Sequence, residues 1–188
     1  MHRFSNKVSV RISDGSCIFA ALLLLVLPLQ WVLAAIVAAG FHELCHACAV
    51  YLCGGNIKSI TFGSNGAAME IDPMTSGREL ICALAGPIGG LSLLLFARWI
   101  PRIAICAGVQ SLYNLLPVYP LDGGRAIRCG AAILSPKRGE EFCTVLEWCC
   151  LIGLFLLALY ACIWLKLGLI PVAFAATLFL KRKNTLQT

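Results

Sequence analysis

Trp31 to Cys53 reads WVLAAIVAAGFHELCHACAVYLC, an apolar run interrupted only by His42, Glu43 and His46. It is the second part of a longer run that opens at Cys17 and holds 37 residues. As one helix those residues would be about 55 Å long, against roughly 30 Å of bilayer hydrocarbon. A turn near Pro28 to Gln30 therefore divides the run into two short or tilted helices, residues 12–29 and 31–53. On the second helix His42, Glu43 and His46 lie about 11 residues from either end, and so about 16 Å deep. At that depth each ionisable group costs roughly 2.5–3.5 kcal/mol, and three together need a compensating partner. His42-Glu43-Leu44-Cys45-His46 is an H-E-x-x-H pattern. Two imidazoles four residues apart on one helix face can share one Zn²⁺, with Glu43 placed to take a proton from water. The competing reading is a polar patch that only ties helices together.

The rest of the 188 residues fits that membrane setting. Hydrophobic residues make up 60% and charged residues 13%, with a mean hydropathy of +0.86. A soluble domain carries roughly 25% charged residues, so a soluble enzyme is excluded. The net charge of +6 is scattered in short groups between apolar runs, which argues against a nucleic-acid partner and for topology signals. Eleven cysteines is an odd number. Most sit inside apolar stretches, where Cys acts as a small hydrophobe, so no disulfide framework is expected.

Outward from the H-E-x-x-H helix, residues 54–78 are Gly-rich, β-branched and polar, with Asn65-Gly66 between two apolar-bearing strips. This predicts a short membrane-associated β-hairpin at about 56–71, between spans two and three. Further spans are expected at 80–99, 103–118, 142–165 and 167–180, the last closed by Lys181-Arg182-Lys183. The third contains Gly86 and Gly90, whose spacing lets helices approach closely. The predicted fold class is an all-α polytopic membrane protein of about six transmembrane helices with that one hairpin. With the N-terminus inside, twelve Lys and Arg fall in inside segments and three (Arg98, Arg102, Lys166) outside. Both termini are then expected in the cytosol.

The chain has three histidines, and His2 stands beside the first residue. Many-histidine di-iron chemistry is therefore excluded, and a third zinc ligand must be a carboxylate or a thiolate. The extended H-E-x-x-H-x-x-G-x-x-H pattern fails, because Ala49 and Leu52 occupy its last two specified positions. Glu70, Asp72, Glu79 and Asp122 remain as carboxylate candidates, and Cys45 as a thiolate. Asp122 ends an apolar stretch in Pro120-Leu121-Asp122-Gly123-Gly124. Asn114 is a polar amide at the depth of an otherwise apolar span, where an interhelical hydrogen bond is its ordinary role.

Phe41-His42-Glu43-Leu44-Cys45-His46, followed about 70 residues later by Asn114-Leu115-Leu116-Pro117-Val118-Tyr119-Pro120-Leu121-Asp122-Gly123-Gly124, resembles the site-2 protease family of intramembrane zinc metalloproteases (peptidase M50). The second stretch matches the family pattern N-x-x-P-x-x-P-L-D-G-G at every specified position. Ala85-Gly86-Pro87 is similar to a further family feature, although Gly90 stands where Asn is often found. The likeness covers roughly residues 30–135. It implies His42, His46 and Asp122 as ligands of one Zn²⁺ per chain. Glu43 would be general base and acid, and Asn114 a catalytic group that positions substrate or contacts the oxyanion. The implied activity is hydrolysis of a peptide bond in or near a membrane segment of a membrane-associated protein. A catalytically silent membrane scaffold and a zinc-transport protein are the alternatives from other classes. Residues 54–78 are too few for an inserted PDZ domain, and those after Leu180 too few for a CBS domain, so a single metalloprotease domain over 1–188 is expected. That minimal core is most similar to the sporulation branch, which processes a pro-sigma factor. Besides the lipid bilayer and the substrate, this implies an inhibitory membrane protein as partner, and a multi-pass location in a bacterial cell membrane.

Overall fold

The computed structural model describes residues 9–12, 24, 27–63, 66–135, 138–164, 166, 171–172 and 175–179. In chain order its elements are β1 (Ser9–Ile12), α1 (Leu29–Leu52), β2 (Ile57–Gly63), β3 (Gly66–Ile71), α2 (Ser76–Ser92), a 3₁₀ turn (Leu93–Phe96), α3 (Pro101–Asn114), α4 (Asp122–Leu134) and α5 (Gly139–Ile163). The protein is mainly helical with one small sheet, as expected. Among the described residues three helices are long and apolar enough to cross a membrane: α1, α2 with its 3₁₀ extension to Phe96, and α5. The chain divides into two compact units, Met1–Leu112 and Tyr113–Thr188.

The expected spans meet the structure unevenly. Most of the first, 12–29, lies outside the described residues, and its first residue, Ile12, ends a strand. The second, third and fifth correspond to α1, α2 with its extension, and α5. The fourth, 103–118, is helical only to Asn114. Pro117 disfavours helical backbone at Leu116, and the 14 residues of α3 reach about 21 Å. Of the sixth, 167–180, residues 171–172 and 175–179 are helical, and the remainder is outside the described residues. The stretch before Leu134 forms α4.

In the first unit α1 is built inside-out relative to a soluble helix. Its buried positions include Ala34, Ala38, His42, His46 and Val50, an i, i+4 stripe, whereas Leu33, Ile36, Val37 and Leu44 are exposed. Large apolar side chains on the outer face suit lipid, and small ones inside let helices approach. The helix ends in a Schellman arrangement: Gly54, at φ +74°, donates to the Tyr51 carbonyl and Gly55 to the Val50 carbonyl. Glycine at the left-handed position avoids the Cβ clash there. The chain then turns into the hairpin, which pairs Ile57 with Ile71 and Thr61 with Ala68, with an irregularity between Ile57 and Ser59. Ile57, Met69 and Ile71 pack with Met74 against Ala49, Val50 and Cys82, so the hairpin caps one end of the α1/α2 pair. β1 adds to β2 in parallel, with Ser9 opposite Ser59 and Ile12 opposite Phe62. Among the described residues the sheet therefore has three strands in the order β1-β2-β3, one more than the expected hairpin.

In the second unit the 115–121 loop and α4 pack on α5. Val118, Leu121, Leu151 and Leu178 form its buried core, with Tyr113, Leu116, Cys150, Leu154 and Phe179 around them. α4 starts on Asp122, where a carboxylate is favoured by the helix dipole. A Cβ on Gly123 would overlap the Leu115 and Leu116 carbonyls, and one on Gly124 the Val118–Tyr119 peptide. The paired glycines therefore let the first turn of α4 lie directly on the loop that precedes it.

Candidate metal centre

His42 and His46 are four residues apart on the buried stripe of α1, 2% and 9% exposed. Their Nε2 atoms face each other at 3.1 Å, and the rings meet nearly edge to face, with centroids 4.7 Å apart. The His46 Nδ1–H donates to the Cys82 carbonyl on α2 at 2.7 Å. That bond fixes the tautomer and leaves Nε2 as the unprotonated ring nitrogen, the arrangement in which metal-ligating histidines are held. Two Zn–N bonds of about 2.05 Å at a tetrahedral angle separate the nitrogens by about 3.3 Å. The observed spacing is close to that, so the pair fits a zinc ion without large movement.

Gly86 explains how α2 comes so near. A Cβ there would overlap Nε2 of His46 and lie 2.7 Å from Nε2 of His42. Hydrogen at this one position keeps the space in front of both nitrogens clear. The next residue, Pro87, is fully buried and has no N–H to give the Ala83 carbonyl one turn earlier.

Glu43 is half-buried beside the pair on α1. Asn114 is the last residue of α3 and Asp122 the first of α4, at either end of the 115–121 loop in the second unit. Of the predicted site residues, the first unit thus holds His42, Glu43 and His46 together, and the second holds Asn114 and Asp122. The other carboxylate candidates are engaged elsewhere. Glu70 accepts a hydrogen bond from the Ser59 hydroxyl at 3.0 Å. Asp72 pairs with Lys58 at 3.1 Å and accepts from the Asn56 amide at 3.2 Å. Those partners, Lys58 first and then Asn56, hold the Asp72 carboxyl below the usual carboxylate range. Glu79 lies in the first turn of α2. Cys45, the thiolate candidate, lies against Gly89, and Cys48 is exposed.

Two polar positions were not among the predicted residues. Ser111 on α3 is fully buried, and its hydroxyl has no hydrogen-bond partner among the described residues. It stands where a side chain on Gly90 would go. Glu147, 2% exposed, forms an ion pair with Arg128 at 2.9 Å. The signal for Glu147 was its place as a lone acid inside an apolar span, where ionisable residues are functional by default.

Residues 16–119, just over half of the chain, match the Peptidase M50B-like family. The chain belongs to that family, and with its three long apolar helices it is a membrane protein. A curated zinc metalloprotease of Methanocaldococcus jannaschii is 29% identical over 117 residues, covering 55% of this chain and 34% of the relative. The chain thus matches about a third of that protein's length. The solved structure of a site-2 protease from Methanocaldococcus jannaschii superposes with a TM-score of 0.65 at 20% identity, covering 98% of this chain and 93% of the other. At that identity the likeness establishes the fold.

Proposed function

We propose that this chain is an intramembrane zinc metalloprotease that cleaves a peptide bond in or near a membrane segment of a membrane-associated protein. The observation that carries the reading is the pair of Nε2 atoms at 3.1 Å on a membrane-deep helix, one ring oriented by a backbone carbonyl. His42 and His46 would hold zinc with Asp122 as third ligand, one ion per chain. Zinc, when bound, supplies a Lewis acid that lowers the pKa of water from about 15.7 to about 7.

The chain's own residues do the rest. Glu43 takes the proton of the attacking water and delivers it to the leaving nitrogen, alternating as base and acid. Asn114 donates its amide N–H to the substrate carbonyl or to the unwound backbone beside it. The Cys82 carbonyl keeps His46 in one tautomer through the cycle, and the apolar stripe around the pair excludes bulk water. The substrate class is a membrane-tethered regulator, with a pro-sigma factor as first candidate through the sporulation branch. The setting is a bacterial cell membrane with both termini in the cytosol, and an inhibitory membrane protein as further partner.

The test combines cleavage and metal content. Co-expression with candidate membrane-tethered regulators should give cleavage that Glu43→Gln abolishes, while the purified variant keeps about one zinc per chain. Asp122→Ala should bind zinc more weakly and lose cleavage. Full zinc content in Asp122→Ala would move the third ligand to another residue.

A further inference from the structure

The ion pair inside the second unit has no place in the mechanism above, yet its contacts lead to the loop that ends at Asp122. Glu147 lies on α5 eight residues past Gly139, about 12 Å into an apolar helix. One oxygen, Oε1, accepts from Arg128 Nε at 3.1 Å, from Arg128 Nη2 at 2.9 Å, and from the Tyr119 backbone N–H at 3.4 Å. The Arg128 guanidinium, on α4, also lies over the Tyr119 ring, 4.7 Å from its centre. Tyr119 is thus held twice, through its N–H and through its ring, by two charged groups that neutralise each other. One turn along the same face of α5, Leu151 packs with Val118 and Leu121. Three of the four residues before Asp122 are therefore fixed to α5 or α4. Residue 122 itself follows directly on buried Leu121.

Glu147 is buried while the Arg128 side chain is 31% exposed, and a pair that buries a charge is a poor source of stability, because desolvation offsets most of the attraction. An apolar pair of the same volume would serve packing as well, so the charges call for another role. We infer that Glu147 and Arg128 are positioning residues: they fix the Tyr119 backbone and thereby the placement of the Asp122 carboxylate. The inference rests on Asp122 being a zinc ligand, as proposed above. It assigns to α5 and α4 the outer support that metal sites require, whose removal typically weakens metal affinity 10–100-fold.

The experiment measures zinc affinity by chelator competition on the full chain in lipid nanodiscs, with helicity and thermal unfolding followed for each variant. Glu147→Ala should weaken zinc at least tenfold. Glu147→Gln, whose amide oxygen still accepts the Tyr119 N–H, should weaken it less. In the Asp122→Ala background Glu147→Ala should have no further effect, because the carboxylate it positions is gone. Should Glu147→Ala fail to fold, Glu147→Gln combined with Arg128→Gln removes both charges without stranding either, and should still weaken zinc several-fold. Wild-type zinc affinity in a folded Glu147→Ala protein overturns the inference. An equal loss with and without Asp122 also overturns it, since that is general loosening. If Asp122→Ala itself binds zinc as tightly as wild type, the ligand assignment falls and this inference with it.

Discussion

His46 donates its Nδ1–H to the Cys82 carbonyl at 2.7 Å, and this bond aims its Nε2 at the Nε2 of His42. The orientation of the His46 ring on α1 is therefore set by the backbone of α2. A Cβ on Gly86 of α2 would stand against both nitrogens.

Gly86→Ala should disrupt the centre. The added methyl meets both Nε2 atoms, and overpacking of this kind costs about 1–3 kcal/mol. Zinc bound per chain, measured by atomic emission, should fall well below one. Gly40→Ala on α1 is the contrast, since a Cβ there meets nothing within 4 Å. It should keep zinc and stabilise the helix by up to about 1 kcal/mol.

Glu43→Gln keeps the shape of the side chain and removes the base. Cleavage should drop by about 10²–10⁴-fold with zinc content unchanged. Joint loss of zinc would show Glu43 to be structural.

Ser111→Ala should stabilise the protein. The hydroxyl is fully buried and without a hydrogen-bond partner among the described residues, which costs about 1–3 kcal/mol on mutational scales. A thermal unfolding midpoint below wild type would show that the hydroxyl is satisfied in the membrane.

The hairpin should loosen in acid. Asp72 is held below its ordinary pKa by Lys58 and Asn56. Its contribution is therefore complete above the unfolded value of about 3.9 and lost as pH falls through the lower folded value. Hydrogen exchange of residues 57–71 should accelerate across that acid window in wild type, and the window should vanish in Asp72→Asn. The pair is exposed, so the effect should shrink with salt.

The H-E-x-x-H helix was legible because both of its signals are local: apolar length, and two imidazoles at i, i+4. The hairpin was legible from Asn65-Gly66 between two apolar-bearing strips. β1 was not. Ser9 to Ile12 alternates polar and apolar residues for only four positions, and its partner is some 50 residues away. The length of α3 was overestimated because hydropathy continues through Leu115 and Leu116 while backbone geometry stops at Pro117. The hold on Tyr119 by Glu147 spans 28 residues, and no local pattern announces it. The family resemblance supplied Asn114 and Asp122 as a motif but not the contacts that hold the loop between them.

β1 and β2 share hydrogen bonds, with Arg11 opposite Thr61, and a sheet cannot have its strands in two aqueous compartments. Residues 9–12 and 57–63 therefore occupy the same side of the bilayer. Between Ile12 and Ile57 the chain must cross an even number of times, and α1 is long and apolar enough to provide one crossing. The sheet thus acts as a parity check on the threading of the chain. Reporters inserted before Ser9 and after Ile71 must give the same answer whichever side that is, and opposite answers would mean that β1 does not pair with β2 in the membrane.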